Sequence, residues 1–265
     1  MTLAVIAGSG ALPFTILSEA DAILVGLDGV PRDLARKPDI EARFERLGEL
    51  FAALDDQGVS ECVFAGAMGR PALDPAAFDP ETTALLPKLM PLLAQGDDAL
   101  LRGVIEVFEA RGFQIRGVLE LCPDLLVTAG HFAGPEASQQ ALNDAARAGA
   151  ILDALSPHDV GQGCVVAGGQ VLGIETAFGT DKMLAGIAGL RDLQVPTTGG
   201  VFVKRAKKGQ DLRVDLPTIG PDTIAAVQRA RLTGISIQAG RVLVLEQDET
   251  RHRAQAAGIS LWADP

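Results

Sequence analysis

The sequence has no tyrosine and a single tryptophan, and aromatic residues make up only 4% of its 265 positions. That argues against a nucleic-acid platform built on stacked rings. A formal net charge of −11 argues further against non-specific polyanion binding. Cysteine is scarce too. Cys62, Cys122 and Cys164 are far apart and form no CxxC pair, so the chain reads as one kept in a reducing compartment. His131, His158 and His252 show no metal-ligand spacing. No stretch reaches the roughly 18 apolar residues of a membrane span, and the Leu3 to Ala7 run is too short, with no basic start, for a signal peptide. A cytoplasmic soluble protein is expected. A surface contact with a membrane stays open, because many of the helical segments are rich in Leu and Ala.

What is present is a 48% hydrophobic chain, enough for a proper core in one large or two modest domains. Leu3-Ala4-Val5-Ile6-Ala7 reads as a buried strand ending at Gly8-Ser9-Gly10, with Pro13 opening a helix and a second strand over Ala22 to Val25. Strand, glycine turn, helix, strand is the opening of a doubly wound sheet. Asp28 to Ile40 reads as loop. Glu61 to Ala65 is a third strand and again ends in glycine, at Gly66-Ala67-Met68. Phe113 to Val118 is a fourth. Turn residues from Thr128 to Pro135 suggest a linker. Beyond it the style changes, with a hairpin over Gly163 to Glu175, a helix from Lys182 to Leu190 and a strand at Val201-Phe202-Val203. The expected class is α/β, with a Rossmann-like parallel-sheet domain over 1–132 and a mixed α/β domain over 133–265.

One window stands apart. Lys204 to Ile224 gathers cations, three carboxylates, an amide, two hydroxyls and glycines on a loop that leaves a strand and enters a helix. An acidic chain has no packing reason to collect cations there. Lys204, Lys207 and Arg213 supply charge for phosphate, a helix start adds free N–H groups, and Asp211 and Asp215 can hold a divalent cation or take a proton from water. Gln210 and Thr218 lie among them. The bland alternative is a solvated ion-pair cluster. Glu175, Thr180 and Asp181 sit at a strand end and a helix start in the same half, with helix capping as the plain reading of the last two. Gly8-Ser9-Gly10 lacks the third glycine of a dinucleotide fingerprint, although Asp28 falls at the distance of a ribose contact. A nicotinamide-dependent oxidoreductase and a non-catalytic nucleotide or lipid carrier are the rival readings.

The order of motifs carries a resemblance. IAGSGALP, AGAMGRP, GDDALLR, DVGQGCVVAGGQVLGIET, FGTDKML, VKRAKKGQDLRVDLPTIGPDTI and ISIQAG run along nearly the whole chain, which resembles the UDP-2,3-diacylglucosamine pyrophosphatases of the LpxI type. The resemblance implies two domains with substrate between them. It also implies Mg²⁺-dependent cleavage of the sugar nucleotide to UMP and 2,3-diacylglucosamine 1-phosphate in lipid A synthesis, at the cytoplasmic face of the inner membrane. On this reading Asp211, Asp215, Arg213 and Gln210 are catalytic, and Asp211, Asp215, Asp181 and Glu175 are the candidate metal ligands. Gly8, Ser9, Gly10, Gly66, Ala67, Met68, Gln162, Thr180, Lys204, Lys207 and Thr218 are the candidate substrate contacts. A homodimer stays open. Phe178 and Ala225 depart from the family pattern, where an acidic residue is often found.

Overall fold

In a computed structural model, residues 1–30, 36–69, 72–193, 197–209, 213 and 216–265 are described. They divide into two compact units, Met1–Pro123 and Asp124–Gln210 with Leu216–Pro265, and Arg213 groups with the first. The α/β class expected from the sequence is the one found.

The first unit is a five-stranded parallel sheet. Its elements are β1 (Thr2–Ala7), α1 (Leu12–Glu19), β2 (Ala22–Leu27), β3 (Ile40–Ala42), α2 (Leu47–Asp56) and β4 (Val59–Ala65). They continue with α3 (Pro80–Leu93), α4 (Asp97–Ala110), β5 (Gln114–Ile115) and α5 (Val118–Leu121). The strand order β3-β2-β1-β4-β5 is that of a Rossmann sheet, and the reversal of winding falls between β1 and β4. Alternation along the strands sends Ala4, Ile6, Cys62 and Phe64 to the face covered by α2 and α4. The scarce aromatics concentrate there. Phe108 meets Phe51 edge-on at 5.1 Å and Phe64 at 5.2 Å between ring centroids. Each buried ring contributes on the order of 1.5–3 kcal/mol by its area alone.

One sequence expectation fails in this unit. Phe113 to Val118 is not one strand: only Gln114–Ile115 is paired, and Val118 already begins α5. The segment Asp28 to Ile40, read as loop, is irregular at its described residues up to Ile40, where the edge strand β3 begins.

The second unit is a six-stranded mixed sheet in the order β6-β13-β11-β9-β7-β8, with a two-stranded pair β10-β12 beside it. Its elements are β6 (Gly130–Ala133), α6 (Gln139–Leu155), β7 (Gly163–Ala167), β8 (Gln170–Ile174), α7 (Gly179–Leu190) and β9 (Val201–Lys204). The rest are β10 (Thr218–Ile219), α8 (Pro221–Arg229), β11 (Gly234–Gln238), β12 (Leu243–Val244), α9 (Gln247–Ala257) and β13 (Ser260–Asp264). Strand alternation builds three layers. Cys164, Val166, Val201 and Val203 face the Ala141, Ala145, Ala148 and Leu152 stripe of α6. Val165, Phe202, Ile235 and Ile237 face the opposite way, into a core shared with α7, α8 and α9. The Gly163 to Glu175 hairpin is found as expected, as β7 paired antiparallel to β8. The expected linker is corrected: Gly130–Ala133 is a strand, paired antiparallel with β13 at the edge of this sheet. Its turn residues misled because Gly130 carries a φ of +126° at the strand's first position.

Candidate active site

In the first unit, the two glycine turns leave the carboxyl ends of the two strands flanking the winding reversal, the usual ligand position in an open α/β sheet. The turns are bonded to each other. Gly8 N donates to Ala65 O at 2.7 Å, Ser9 N to Ala67 O at 2.9 Å, and Ala67 N to Ser9 O at 3.0 Å. Side chains are excluded by contact: a Cβ on Gly8 would lie 2.6 Å from Ala67 O. One on Gly66, which has a φ of +92°, would lie 2.5 Å from Ser9 O. The amides of Gly8, Ser9 and Ala67 are thus engaged in holding the turns together. The first turn of α1 has no side-chain cap, but Pro13 carries no N–H and Phe14 N and Thr15 N donate to Ala11 O at 3.0 and 3.1 Å, which leaves Leu12 N as its backbone donor for a ligand. Met68 packs against the core of the unit.

In the second unit, the end of β8, the start of α7 and the end of β9 bring Glu175, Thr180 and Lys204 together. Lys204 Nζ donates to Glu175 Oε2 at 2.9 Å and to Thr180 Oγ1 at 2.5 Å. Thr180 Oγ1 donates to Glu175 Oε2 at 2.7 Å. The cluster is buried, with Lys204 at 5% and Glu175 at 9% exposure. Gly163 makes room for it, since a Cβ there would meet Glu175 Oε2 at 2.5 Å. Thr180 therefore does not cap α7, whose N-cap is Phe178 with no side-chain bond. Asp181 is exposed in the first turn of α7.

The other cations of the basic window lie along the carboxyl half of α6. Arg205 sits over Gly149, where a Cβ would come within 2.8 Å of its Cζ. Lys207 Nζ donates to Asp159, Lys208 N donates to Ser156 Oγ at 2.6 Å, and Lys208 Nζ lies 3.4 Å from Asp153. Cations at a helix carboxyl end are favoured by its dipole. The same strand exit is tied by Arg205 N donating to Gln162 O at 2.9 Å. Thr218 opens β10 and donates to Leu216 O at 3.1 Å. Arg213 is exposed and its guanidinium lies 3.0 Å from Glu109 on α4.

Asp211, Asp215 and Gln210, on which the catalytic expectation rests, lie outside the described residues. Among the described residues no group of three or more His, Cys, Asp or Glu side chains could hold a metal ion. The Lys204 ammonium holds Glu175 Oε2, which leaves that carboxylate less charge to offer a divalent cation.

The comparisons with known proteins bear on the whole chain. Residues 2–125 match the model of the LpxI N-terminal domain, and residues 128–262 match that of the LpxI C-terminal domain. The chain belongs to the LpxI family. It is 34% identical over 273 aligned positions to the UDP-2,3-diacylglucosamine pyrophosphatase LpxI of Caulobacter vibrioides, covering 99% of this chain and 98% of that one. No helix among the described residues of this LpxI-family chain is long and apolar enough to cross a membrane.

Sequence reasoning missed one residue that shapes this half of the LpxI-family fold. Asp144, 2% exposed, accepts from Gly168 N at 2.9 Å, Gly169 N at 2.8 Å and Gln140 Nε2 at 3.0 Å. It fixes the β7-β8 turn to α6. The signal was available: Asp144 falls inside the apolar stripe of α6, where an acid must find a partner.

Proposed function

We propose that this chain hydrolyses the pyrophosphate bond of UDP-2,3-diacylglucosamine, giving UMP and 2,3-diacylglucosamine 1-phosphate as a step toward lipid A. The observation that carries this reading is the end-to-end 34% identity to a relative bearing that activity in its name. The work would take place at the cytoplasmic face of the inner membrane, where an acylated substrate resides.

In the first unit, the α1 start and the locked turns at Gly8 to Gly10 and Gly66 to Met68 are the proposed receiver for part of the substrate. In the second, Lys204 holds Glu175 and Thr180 and so sets the first turn of α7 with Asp181. Gln162, Lys207 and Thr218 complete the proposed substrate contacts. Asp211 and Asp215 are proposed to hold Mg²⁺ together with Asp181, and Glu175 is left to Lys204. Bound there, Mg²⁺ would offset the charge of the phosphate oxygens that repels a nucleophile. One carboxylate of the Asp211 and Asp215 pair takes a proton from water, oriented by Gln210. The water oxygen bonds to the β-phosphorus, the bond from that phosphorus to the bridging oxygen breaks, and UMP leaves with the bridging oxygen. Arg213 offsets charge on the oxygens of the breaking bond.

Hydrolysis of the lipid substrate in heavy-oxygen water, with and without Mg²⁺, tests this reading by mass spectrometry of both products. Label on 2,3-diacylglucosamine 1-phosphate and unlabelled UMP is expected, only with Mg²⁺ present. Label on UMP would place attack at the α-phosphorus, and the absence of either product would remove the activity.

A further inference from the structure

Asp28 follows the last residue of β2, the strand that lies beside β1 on the side away from β4. It falls at the distance of a ribose contact from the first glycine turn, yet no part of the proposed pyrophosphatase chemistry uses it. Beside it, a cavity of about 300 Å³ is bounded by the edge strand β3 and by α2. Ile40, Ala42, Leu50 and Ala53 are its apolar walls, and Asp28, Arg43 and Arg46 are in the lining with Glu41 and Glu49.

Asp28 is the open group among these. Its side chain is 69% exposed, and Arg43 Nε, at 3.9 Å, is too far for a hydrogen bond. The backbone beneath it is fixed, because Asp28 N donates to Ala42 O at 2.8 Å. Arg43 leans instead toward Glu45, at 3.5 Å, and Arg46 is paired with Glu49.

Charge and size decide what this cavity can take. Two guanidiniums stand with three carboxylates in the lining, so there is no surplus of positive charge for a phosphate. The apolar walls suit a neutral, flat ring. At ~30 Å³ per water-sized group there is room for roughly ten, about a pyrimidine base with part of its sugar. A carboxylate near the end of the second strand is the group that accepts from ribose hydroxyls in open α/β sheets. Strand spacing then places the phosphate. Neighbouring strands lie ~4.8 Å apart, so Asp28 stands about one strand, and the β3 wall about two strands, from the end of β1. A nucleoside seated here directs its 5′-phosphate at the start of α1, where Leu12 N is the backbone donor.

We propose that this cavity holds the nucleoside of the sugar nucleotide, with uracil against Ile40, Ala42, Leu50 and Ala53 and the ribose hydroxyls donating to Asp28. The carbonyl oxygens of uracil are acceptors, and the Arg43 and Arg46 guanidiniums are the nearby donors. The choice of uracil rests on the pyrophosphatase reading, whereas the sugar contact rests on the strand order and the cavity.

The full chain is titrated with UMP by isothermal calorimetry, with 2′,3′-dideoxy-UMP, AMP and inorganic phosphate as comparison ligands. One UMP per chain is expected, bound at least tenfold more tightly than the others, AMP included, because a purine takes the room that the ribose needs. Asp28→Ala should stay folded, since the backbone bond at this position is kept. It should weaken UMP at least tenfold and leave the dideoxy analogue within about twofold. Ala53→Phe should also fold, because Ala53 is only half-buried, and its ring should fill the cavity and weaken both ligands. In hydrolysis of the lipid substrate both variants should raise KM and leave kcat within about threefold, as expected of groups that hold substrate away from the reacting bond. The inference is overturned if folded wild-type chain shows no saturable UMP binding, if the dideoxy analogue binds as well as UMP, or if both variants bind UMP unchanged. AMP binding as tightly as UMP would overturn the uracil assignment in favour of another base. UMP binding is read without turnover. Binding lost in Asp28→Ala from a chain that yields no product would sink the pyrophosphatase reading alone, and hydrolysis with a normal KM in both variants would sink the nucleoside site alone.

Discussion

Removing Lys204 tests whether the buried cluster is built around its charge. Its Nζ is the donor to both Glu175 Oε2, at 2.9 Å, and Thr180 Oγ1, at 2.5 Å, and its side chain is 6% exposed against 11% for Glu175. Lys204→Met keeps most of the volume and removes the ammonium. Glu175 is then a nearly buried carboxylate with only the Thr180 hydroxyl and no cation. Breaking a buried pair from one side costs about 3–5 kcal/mol. For a unit of this size, at roughly 2–4 °C per kcal/mol, the midpoint of thermal unfolding should fall by about 6–20 °C. Lys204→Met with Glu175→Gln removes both charges together, and such paired replacements are often near neutral. The double variant should therefore recover at least half of the loss. Calorimetry of the wild type, the two single variants and the double variant supplies the full cycle. A single-variant loss below about 1 kcal/mol, or a double variant whose loss equals the sum of the singles, would refute the view that the ammonium exists to balance that carboxylate.

Four further outcomes are expected. Asp144→Ala removes the acceptor of the Gly168 and Gly169 amides at an exposed turn and should cost about 1–3 kcal/mol, read by denaturant unfolding, with Asp144→Asn losing less. Gly66→Ala places a Cβ 2.5 Å from Ser9 O at a φ of +92° and should open the bonded turns, seen as faster amide exchange at Ser9 and Ala67. Burial pushes the Cys62 thiol up to about 12 and the Cys164 thiol to about 11, above an unfolded value near 9. The folded state therefore keeps protons that the unfolded state loses, so stability should be insensitive to these thiols below pH ~8.5 and fall by up to ~1.4 kcal/mol per pH unit for each above it. Alkylation of the native protein at pH 8 should leave both thiols unlabelled. Asp211→Asn and Asp215→Asn should each cut UMP release by orders of magnitude with unfolding midpoints unchanged, and near-normal release by both would remove them from the site.

The fold was legible where a signal is local and repeated. Ala4, Ile6, Cys62 and Phe64 alternate within buried strands, and Gly8 and Gly66 mark the ends of the two strands at the winding reversal. It was illegible where partners are far apart in sequence. β3 and β6 are short edge strands made by pairing with β2 and β13, and nothing in three or four residues announces a neighbour. The candidate site divides in the same way. Glu175, Thr180 and Lys204 were each visible at an element end, but the bonds that join them depend on β7-β8 and β9 lying in one sheet.

The basic window shows how a correct observation can have a second cause. An acidic chain that gathers Lys204, Arg205, Lys207 and Lys208 in five positions was read as offering charge to phosphate. The structure supplies a packing reason that the sequence could not, because the acids involved lie about fifty residues upstream. Asp159 and Asp153 lie 48 and 55 positions before their lysines, Asp153 in the last turn of α6 and Asp159 just beyond the helix, and Ser156 accepts a backbone amide of the same window. Arg205, Lys207 and Lys208 thus have work in fixing the exit of β9 against α6 and the turn after it, while Lys204 serves Glu175 and Thr180. That does not empty the window of function, because the role proposed for Asp211 and Asp215 calls for a loop with a rigid base. It does change which groups should bind the phosphates directly. A lysine already bonded to an aspartate attracts an anion less than an unpaired one, since the pair is nearly neutral at the distance of a substrate oxygen. Paired as they are, Lys207 with Asp159 and Arg213 with Glu109 should each add less to phosphate affinity than an unpaired cation would. Lys204→Arg and Lys207→Arg keep the charge but not the reach, and each should lower turnover by disturbing its partners, Glu175 and Thr180 for Lys204 and Asp159 for Lys207.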